Sequence, residues 1–331
     1  MLETMENQAT HAVVVEQLTK QFGDRTVVDH ISFHVPIGAV CGLVGPNGAG
    51  KTTIMGMLLG LVRPTSGDAW VLGSPIERRS EYLPQVGSLI EGPAFHPGVS
   101  GVDNLRSLAI LGGLATDDIP ALIELVGLSG RGDDRYGTYS LGMKQRLGIA
   151  ASLLGDPRLV ILDEPTNGLD PMGMQDVREL IGAIARQGRT VIVSSHLLSE
   201  LELVCDWLVV VDRGGLVHAG PASALGAEQA VLVIGAGPDD RRHLIEIAAA
   251  GGHEVVPDDG HTVRVIVPAG HDAGDIAAEI NAAAHARRIV LREIRHERAD
   301  LESRYLQLVN VGKATGRAIE HAIAHATGDD R

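Results

Sequence analysis

Apolar runs alternate with amphipathic stretches through the first two thirds of the chain, and this alternation predicts strands covered by helices. The runs "AVVVEQL" and "ISFHV" predict the first two strands, and "AVCGLVG" predicts a buried strand that ends in a glycine-rich turn. The stretch "TTIMGMLLGLV" predicts a helix that ends at "RPTSG", while "RLVILDEP" and "TVIVSSH" predict further buried strands. The region from about Pro97 to Pro157 is mostly helical in pattern. We therefore expect an α/β domain with a helical insertion.

A second block of strands and helices follows a shift in composition near residues 222–228. The block is predicted to contain strand 231–234, helix 241–250, strand 253–256, strand 262–267, helix 275–286 and strand 289–294. This β-α-β-β-α-β order predicts a small α+β domain of the ferredoxin-like type. A short helix over residues 301–308 is expected to close that domain, and the Ala-rich end from residue 312 onwards is expected to fray.

Composition and charge narrow the classes of function. The formal net charge of −14 argues against nucleic-acid binding, because such binding needs clustered cations. Cys41 and Cys205 lie in apolar runs, so we expect two small buried residues in a reducing cytoplasm rather than a disulfide. The polar start of the chain does not resemble a signal peptide. No apolar stretch approaches the roughly 20 residues that a membrane-spanning helix needs, so a membrane role would require another chain.

A phosphate-binding loop is the strongest chemical signal. The pattern G-x-x-x-x-G-K-[ST] is met by Gly45, Pro46, Asn47, Gly48, Ala49, Gly50, Lys51 and Thr52. Such a loop points successive backbone N–H groups at phosphate oxygens, and the following helix presents its positive end to the same anion. Lys51 is expected to reach the β and γ phosphates, and the Thr52 hydroxyl to bind Mg²⁺, with Thr53 beside the same nucleotide. The alternative is a chance glycine-rich turn.

Two carboxylates, Asp163 and Glu164, end the apolar run "LVILDEP". Ligands of open α/β sheets bind at the carboxyl ends of the strands, so both side chains are expected to face such a crevice. Asp163 is predicted to hold Mg²⁺, directly or through water. Glu164 is predicted to orient an attacking water or to accept its proton. The alternative is a solvated pair at a strand end.

The segment "YSLGMKQRLGIAASLLGDP", which lies between these motifs, makes the chain resemble the ATP-binding subunits of ATP-binding-cassette (ABC) transporters. Ser140 and Gly142 match the phosphate-contacting positions of the family's signature motif, usually written LSGGQ, whereas Leu141 and Met143 depart from it. In the family, this segment caps the ATP that the opposite subunit holds. Without that context, Ser140 is equally an ordinary helix N-cap.

Three more residues match the family's nucleotide contacts. Asp170, in "NGLD", resembles the loop that crosses the dimer interface. His196 matches the switch histidine that touches the γ-phosphate, although a lone histidine is more often structural. Phe22, in "QFG", matches the position at which an aromatic ring stacks on adenine, unless it is an ordinary core residue.

The family also places a glutamine between the phosphate loop and the signature, where it links the Mg²⁺ site to the membrane partner. In this chain Glu91 takes that position, and Gln85 comes too early along "QVGSLIEGPAFHPGVSG". A carboxylate at this point can still bind Mg²⁺ or water. This departure, together with "ADLESRYLQLV" near the end of the chain, resembles the bacitracin-resistance branch of drug exporters.

The resemblance implies a P-loop NTPase core of the RecA type that binds ATP and Mg²⁺, with Lys51, Glu164 and His196 as catalytic residues. It also implies a homodimer or heterodimer that drives a separate integral membrane permease from the cytoplasmic face. The alternative is a soluble ATPase of the same superfamily that acts on a non-membrane partner. We expect a flexible start (1–11), an ATPase domain (12–225) with a helical subdomain (about 92–157), an accessory domain (229–310) and a tail (311–331).

Overall fold

The computed structural model describes residues 10–92, 95–197, 201, 203–226, 230–237, 240–256, 262–268 and 271–298. The chain divides into two units, Met1–Ala222 and Ser223–Arg331, and each is described by itself below. The helix expected over residues 301–308, the tail and the first nine residues lie outside the described residues. Within the described part of the chain, no helix is long and apolar enough to cross a membrane.

The first unit contains ten strands among its described residues. In chain order they are β1 (His11–Phe22), β2 (Arg25–Pro36), β3 (Val40–Val44), β4 (Ser66–Val71), β5 (Ser74–Pro75), β6 (Val86–Leu89), β7 (Leu159–Leu162), β8 (Thr190–Ser195), β9 (Trp207–Asp212) and β10 (Gly215–Pro221). Its described helices are α1 (Lys51–Leu58), α2 (Arg79–Tyr82), α3 (Gly101–Leu111), α4 (Ile119–Leu125), α5 (Leu141–Ser152) and α6 (Pro171–Arg186). The short α7 (Ala222–Gly226) begins at the last residue of the first unit and continues into the second. Two 3₁₀ turns occupy Leu83–Gln85 and Tyr136–Thr138.

A six-stranded sheet forms the centre of this unit, in the order β10-β9-β3-β8-β7-β6. Its strands run parallel except β10, which is antiparallel to β9. Every residue of β3, β7 and β8 is buried, as expected for strands covered on both faces. Because these strands are parallel, their carboxyl ends meet at one edge, where the loops after β3, β7 and β8 come together.

The remaining strands form an antiparallel sheet in the order β2-β1-β4-β5. Buried residues from both sheets and from α1 pack together in one apolar core, among them Val15 of β1, Leu43 of β3 and Ile54 of α1. The helical insertion predicted between Pro97 and Pro157 is present as α3, α4 and α5. Serines are the N-caps of two of these helices. The side chains of Ser100 and Ser140 accept hydrogen bonds from backbone N–H groups of the first turn.

The helix after the phosphate loop is shorter than its apolar pattern predicts. It ends at Leu58 rather than continuing through "GLV". Gly60 lies just beyond, with φ of +66°, a conformation that stops the helix and turns the chain. The apolar residues beyond the helix have different environments: Val62 packs against the core, whereas Leu61 is exposed. The pattern therefore extended past the helix because core packing continued after the helix ended.

The second unit confirms the ferredoxin-like prediction. It contains β11 (Ala230–Gly235), α8 (Arg241–Ala250), β12 (Val255–Val256), β13 (Thr262–Val267), α9 (Ala273–Ala286) and β14 (Glu293–Arg298). The sheet order is β12-β13-β11-β14 and all its pairs are antiparallel. The buried side chains of β11 and β13 that belong to this unit's core pack with those of α8 and α9.

The last strand was predicted at residues 289–294, and that placement is wrong, since β14 spans Glu293–Arg298. The apolar residue Ile289 is buried in the core after α9, where its backbone N–H donates to the Ala284 carbonyl. The strand itself is mostly charged and exposed along its described side chains. The apolar pattern marked the segment that covers the core, and backbone pairing with β11 placed the strand four residues later.

Candidate functional site

The phosphate loop begins where β3 ends. A side-chain carbon at Gly45 would lie 2.2 Å from the Val211 carbonyl oxygen, so only glycine fits. Gly50 directly precedes α1 with φ of 106°, and a side-chain carbon there would lie 2.8 Å from the Val27 carbonyl oxygen. These contacts hold the turn against its neighbours. Pro46, at the outer part of the loop, is exposed, so the loop is open to a ligand.

Lys51, the first residue of α1, is only 6% exposed. Its ammonium group donates to the Gly45 carbonyl oxygen at 2.7 Å and lies 3.4 Å from that of Pro46. Glu164 Oε1 lies 3.2 Å from the same nitrogen. A buried ammonium requires such partners, because an isolated charge in a low-dielectric interior is strongly disfavoured. The structure therefore brings two of the predicted catalytic residues into contact.

Asp163 follows β7 and is 9% exposed. Its Oδ2 accepts a hydrogen bond from the Thr52 hydroxyl at 2.8 Å, and its Oδ1 accepts one from Ser194 at 2.6 Å. A hydroxyl and a carboxylate side by side are the hard oxygen donors that Mg²⁺ prefers. Thr52 and Asp163 therefore fit the predicted metal site, although the described residues contain no preformed group of three acidic, histidine or cysteine ligands.

Glu164 occupies the left-handed backbone region, with φ of 46°. For a residue other than glycine this conformation costs on the order of 1–3 kcal/mol, and it occurs where surrounding contacts impose it. The Glu164 N–H donates to Ser194 Oγ at 2.8 Å. The Glu164 carboxylate oxygen Oε2 accepts from His196 Nδ1 at 2.8 Å. One carboxylate thus joins Lys51 to His196.

Ser194 is the residue of this group that sequence reasoning missed. It lies in β8, is fully buried and contacts both acidic residues. The available signal was a pair of serines at the end of an otherwise apolar strand, directly before His196. A buried hydroxyl is favourable only when it is hydrogen-bonded, so "VIVSSH" predicted a partner without saying which one.

A second group of predicted residues lies elsewhere on the first unit. Ser140, Gly142 and Asp170 line one surface pocket. Ser140 Oγ accepts from Met143 N at 3.3 Å, and Asp170 Oδ1 accepts from Gly173 N at 2.9 Å. Both side chains thus cap the first turn of their own helices, as the N-cap alternative for Ser140 predicts. Neither has a hydrogen bond to the group around Lys51 within the described residues.

Phe22 ends β1 and is 50% exposed, so the alternative of a core phenylalanine is wrong. The Lys20 ammonium lies 4.6 Å from the centre of its ring. Phe22 pairs with Arg25 across the turn from β1 to β2, and Val27 of β2 contacts the loop at Gly50. This hairpin therefore places an accessible aromatic ring on an element that adjoins the phosphate loop.

Glu91 and Gln85 lie at opposite ends of β6. The strand ends at Leu89, whose carbonyl oxygen accepts from Asp163 N at 2.8 Å, and Glu91 follows two residues later. Glu91 is exposed and has φ of 57°. Gln85 precedes the strand, where Arg158 donates to its side chain at 3.3 Å. Glu91 therefore follows the end of β6 that lies beside Asp163, whereas Gln85 precedes the other end.

Comparison with known proteins identifies the family of this chain. A family model described as ABC transporter matches residues 28–167. The bacitracin transport ATP-binding protein BcrA of Enterococcus faecalis is 44% identical over 211 residues, which cover 63% of this chain and 68% of that protein. The lantibiotic transport ATP-binding protein SrtF of Streptococcus pyogenes is 42% identical over 203 residues, 61% of this chain and 88% of that protein. The chain belongs to the ABC transporter family.

Solved structures agree with the fold of this ATP-binding subunit. A structure described as the ATP binding subunit of an ABC transporter superposes with a TM-score of 0.58 at 27% identity, and covers 65% of this chain and 91% of that one. A cbiO1 subunit from Clostridium perfringens, part of the ABC transporter complex cbiONQ, has a TM-score of 0.60 at 23% identity, which is a likeness of fold alone. The predicted P-loop NTPase core is confirmed.

Proposed function

We propose that this ATP-binding subunit hydrolyses ATP at a Mg²⁺ site and thereby drives a separate membrane permease that exports a drug, peptide or lipid. One observation carries the chemistry: beside the phosphate loop, Glu164 contacts both Lys51 and His196, and Asp163 contacts Thr52. The Ser194 hydroxyl hydrogen-bonds to both acidic residues and so joins the two sets of contacts. Two relatives are named for bacitracin and lantibiotic transport, and these names support a drug among the three classes of cargo.

The roles of the side chains follow from their chemistry. Backbone N–H groups of the loop and the start of α1 bind phosphate oxygens, and the Lys51 ammonium adds a positive charge. Thr52 and Asp163 are the residues that would hold Mg²⁺, which neutralises charge on the phosphates when it is bound. Glu164 orients the attacking water and accepts its proton. His196, held by Glu164, donates a hydrogen bond to the γ-phosphate.

The second group of residues supports a sandwich of two ATP-binding subunits. Ser140, Gly142 and Asp170 lie on an accessible pocket whose rim includes Leu141, 53% exposed, and Met172, 75% exposed. A helix N-terminus presents unpaired N–H groups that suit a phosphate. We infer that this surface caps ATP held by the phosphate loop of a second subunit, identical or related.

The permease would contact the subunit on the inner face of the cell membrane. Glu91 would couple changes at the nucleotide site to the permease. Glu91 follows β6, the edge strand beside β7, and precedes the helices of the insertion. No observation favours the alternative of an ATPase that acts on a non-membrane partner. The hydrogen bond from Asp163 N to the Leu89 carbonyl oxygen, two residues before Glu91, supports the proposal that this carboxylate approaches Mg²⁺ or the attacking water.

Purified protein tests the chemistry. We expect ATP hydrolysis that requires Mg²⁺, stops in EDTA and falls to background in Lys51→Ala, because the loop then lacks its only side-chain ammonium. A thermal melt of Lys51→Ala would show that the variant is folded. Turnover that survives both EDTA and Lys51→Ala would contradict the proposal. Co-purification of the tagged chain with the membrane fraction tests the permease, and a chain found only in the soluble fraction would favour the alternative.

A further inference from the structure

Ser194 lies near the carboxyl end of β8 with no exposed surface. The three residues before it, Val191, Ile192 and Val193, are also buried. A hydroxyl in such surroundings is unfavourable unless both its hydrogen and its lone pairs are used. Its contacts therefore explain why a serine is tolerated at this point.

Both capacities of the hydroxyl are used on the two acidic residues. A backbone N–H can only donate, so Ser194 Oγ accepts from Glu164 N at 2.8 Å. The hydrogen of the hydroxyl is then free to donate to Asp163 Oδ1 at 2.6 Å. Hydrogen bonds arranged in series polarise one another, which strengthens both. The Mg²⁺-binding candidate and the water-orienting candidate are thus tied to one atom on a neighbouring strand.

The hydrogen bond from Glu164 N to Ser194 Oγ stabilises an unusual backbone conformation at Glu164. Its φ of 46° lies in a region that residues other than glycine rarely adopt, and Thr166 and Asn167 follow in a tight turn. The hydrogen bond from Glu164 N to β8 resists a return to the ordinary extended or helical conformation. A different backbone angle at Glu164 would redirect its side chain away from Lys51 and His196.

We propose that Ser194 is a positioning residue for ATP hydrolysis, which orients the Asp163 carboxylate and holds the backbone of Glu164. This inference rests on the proposed function, because it assumes that those two carboxylates serve Mg²⁺ and the attacking water. Within the described part of the chain, the hydrogen bonds of the Ser194 hydroxyl run to Asp163 and Glu164. Its effect is therefore expected on turnover and on Mg²⁺ dependence, and much less on nucleotide affinity.

Ser194→Ala is the variant that tests the proposal, measured in the full-length purified chain. We expect kcat to fall by about 10- to 100-fold, the scale on which small misplacements of catalytic groups lower rates. The Mg²⁺ concentration for half-maximal activity should rise, because Asp163 loses the partner of Oδ1. The Kd of ATP measured in EDTA should change by about twofold or less, since the phosphate loop is untouched.

Thr190→Val is the matched control. Thr190 lies at the other end of β8, is 1% exposed and uses its hydroxyl to accept from Gly38 N at 2.9 Å. Loss of this buried hydroxyl should lower the melting temperature as Ser194→Ala does, but leave kcat and the Mg²⁺ dependence unchanged. If both variants lose activity in proportion to their stability, Ser194 is merely structural and the proposal is overturned.

Glu164→Gln separates the inference from the function on which it rests. If Glu164→Gln is inactive while Ser194→Ala has the parent kcat and the parent Mg²⁺ dependence, the role of Ser194 is disproved and the proposed function stands. If Glu164→Gln retains the parent rate, the proposed function fails, and the inference about Ser194 fails with it.

Discussion

The two halves of the candidate ATP site differ in how completely this chain builds them. In the cradle half, by which we mean Lys51, Thr52, Asp163, Glu164 and His196, each side chain contacts another member of the group. In the signature half, by which we mean Ser140, Gly142 and Asp170, the two side-chain hydrogen bonds only cap the start of a helix. One half is preorganised within the chain, and the other presents an accessible surface.

This difference follows from topology. The cradle half lies where the carboxyl ends of three adjacent parallel strands, β3, β8 and β7, meet, so loops distant in sequence are held together. The signature half is built from the first turns of α5 and α6, whose exposed N-termini offer donors to a ligand. A second subunit that supplies a cradle opposite the signature half would complete the site. The predictions below test that division, beginning with the largest expected effect.

Glu164→Gln changes the cradle half and should abolish ATP hydrolysis, while two subunits should still associate around bound ATP. Loss of a general base typically lowers a rate by about 10²- to 10⁴-fold. The amide keeps the shape of Glu164 and removes its charge, so Thr52 and Asp163 remain to bind Mg²⁺. We expect an ATP-bound dimer to accumulate, which size-exclusion chromatography with and without ATP would show. A monomeric variant that hydrolyses ATP at the parent rate would refute the role of Glu164.

Ser140→Arg should block the signature half by filling the position of the phosphate, with a loss of turnover of about 10²-fold, as for removal of one preorganised donor. Ser100→Arg is the matched control, because Ser100 also caps a helix, α3, by accepting from Asp103 N at 3.0 Å. Both variants lose a cap worth about 1 kcal/mol, but only Ser140→Arg should lose activity. Full activity of Ser140→Arg would count against a phosphate contact there.

Mixing Ser140→Arg subunits with Lys51→Ala subunits sharpens the comparison. One composite site of the mixed dimer would contain both defects, and the other would contain neither. Activity that returns on mixing would support action between subunits, because neither variant is active by itself. ATPase rates across a range of mixing ratios are the measurement. A signature half that acts on ATP of its own chain predicts no recovery at any ratio.

Phe22→Ala should weaken ATP binding without changing the chemical step. Stacking of a base on an aromatic ring contributes about 1–3 kcal/mol, or roughly a 5- to 150-fold change in Kd. The exposure of Phe22 means that little core packing is lost. Titration with ATP and with a triphosphate that lacks a base distinguishes the outcomes. If both ligands weaken equally, the ring does not contact adenine.

Glu91→Ala should have the smallest effect on ATP hydrolysis by the isolated chain, and a clear effect on ATP hydrolysis by the chain in membranes with its permease. Because Glu91 follows the edge strand rather than joining the contact network, basal turnover should change little, whereas stimulation by the permease should fall. Gln85→Ala is the control, with an expected change in stability of about 0.5 kcal/mol or less. If Gln85→Ala abolishes stimulation of turnover by the permease and Glu91→Ala does not, then Gln85 rather than Glu91 links the nucleotide site to the permease.

Sequence motifs predicted all five residues of the cradle half, but not Ser194, which links Asp163 to Glu164. A loop that binds phosphate needs its glycines, lysine and hydroxyl close together in the sequence. The segment from Gly45 to Thr52 can therefore be recognised without knowledge of the fold. The acidic pair and His196 can be predicted from the sequence for a similar reason, because each directly follows a segment that the sequence predicts to be a buried strand. The ferredoxin-like order of the second unit was also determined by local alternation of strand and helix patterns.

Tertiary structure decided what depends on residues far apart in the chain. Ser194 and Asp163 are 31 residues apart, and only the parallel pairing of β7 with β8 brings them within 2.6 Å. The position of β14 was likewise decided by pairing with β11, while the apolar residue Ile289 was used to cover the core. Burial produces the same apolar pattern in a strand and in a core-covering connection, so the sequence determined which segments are buried and the fold determined their partners.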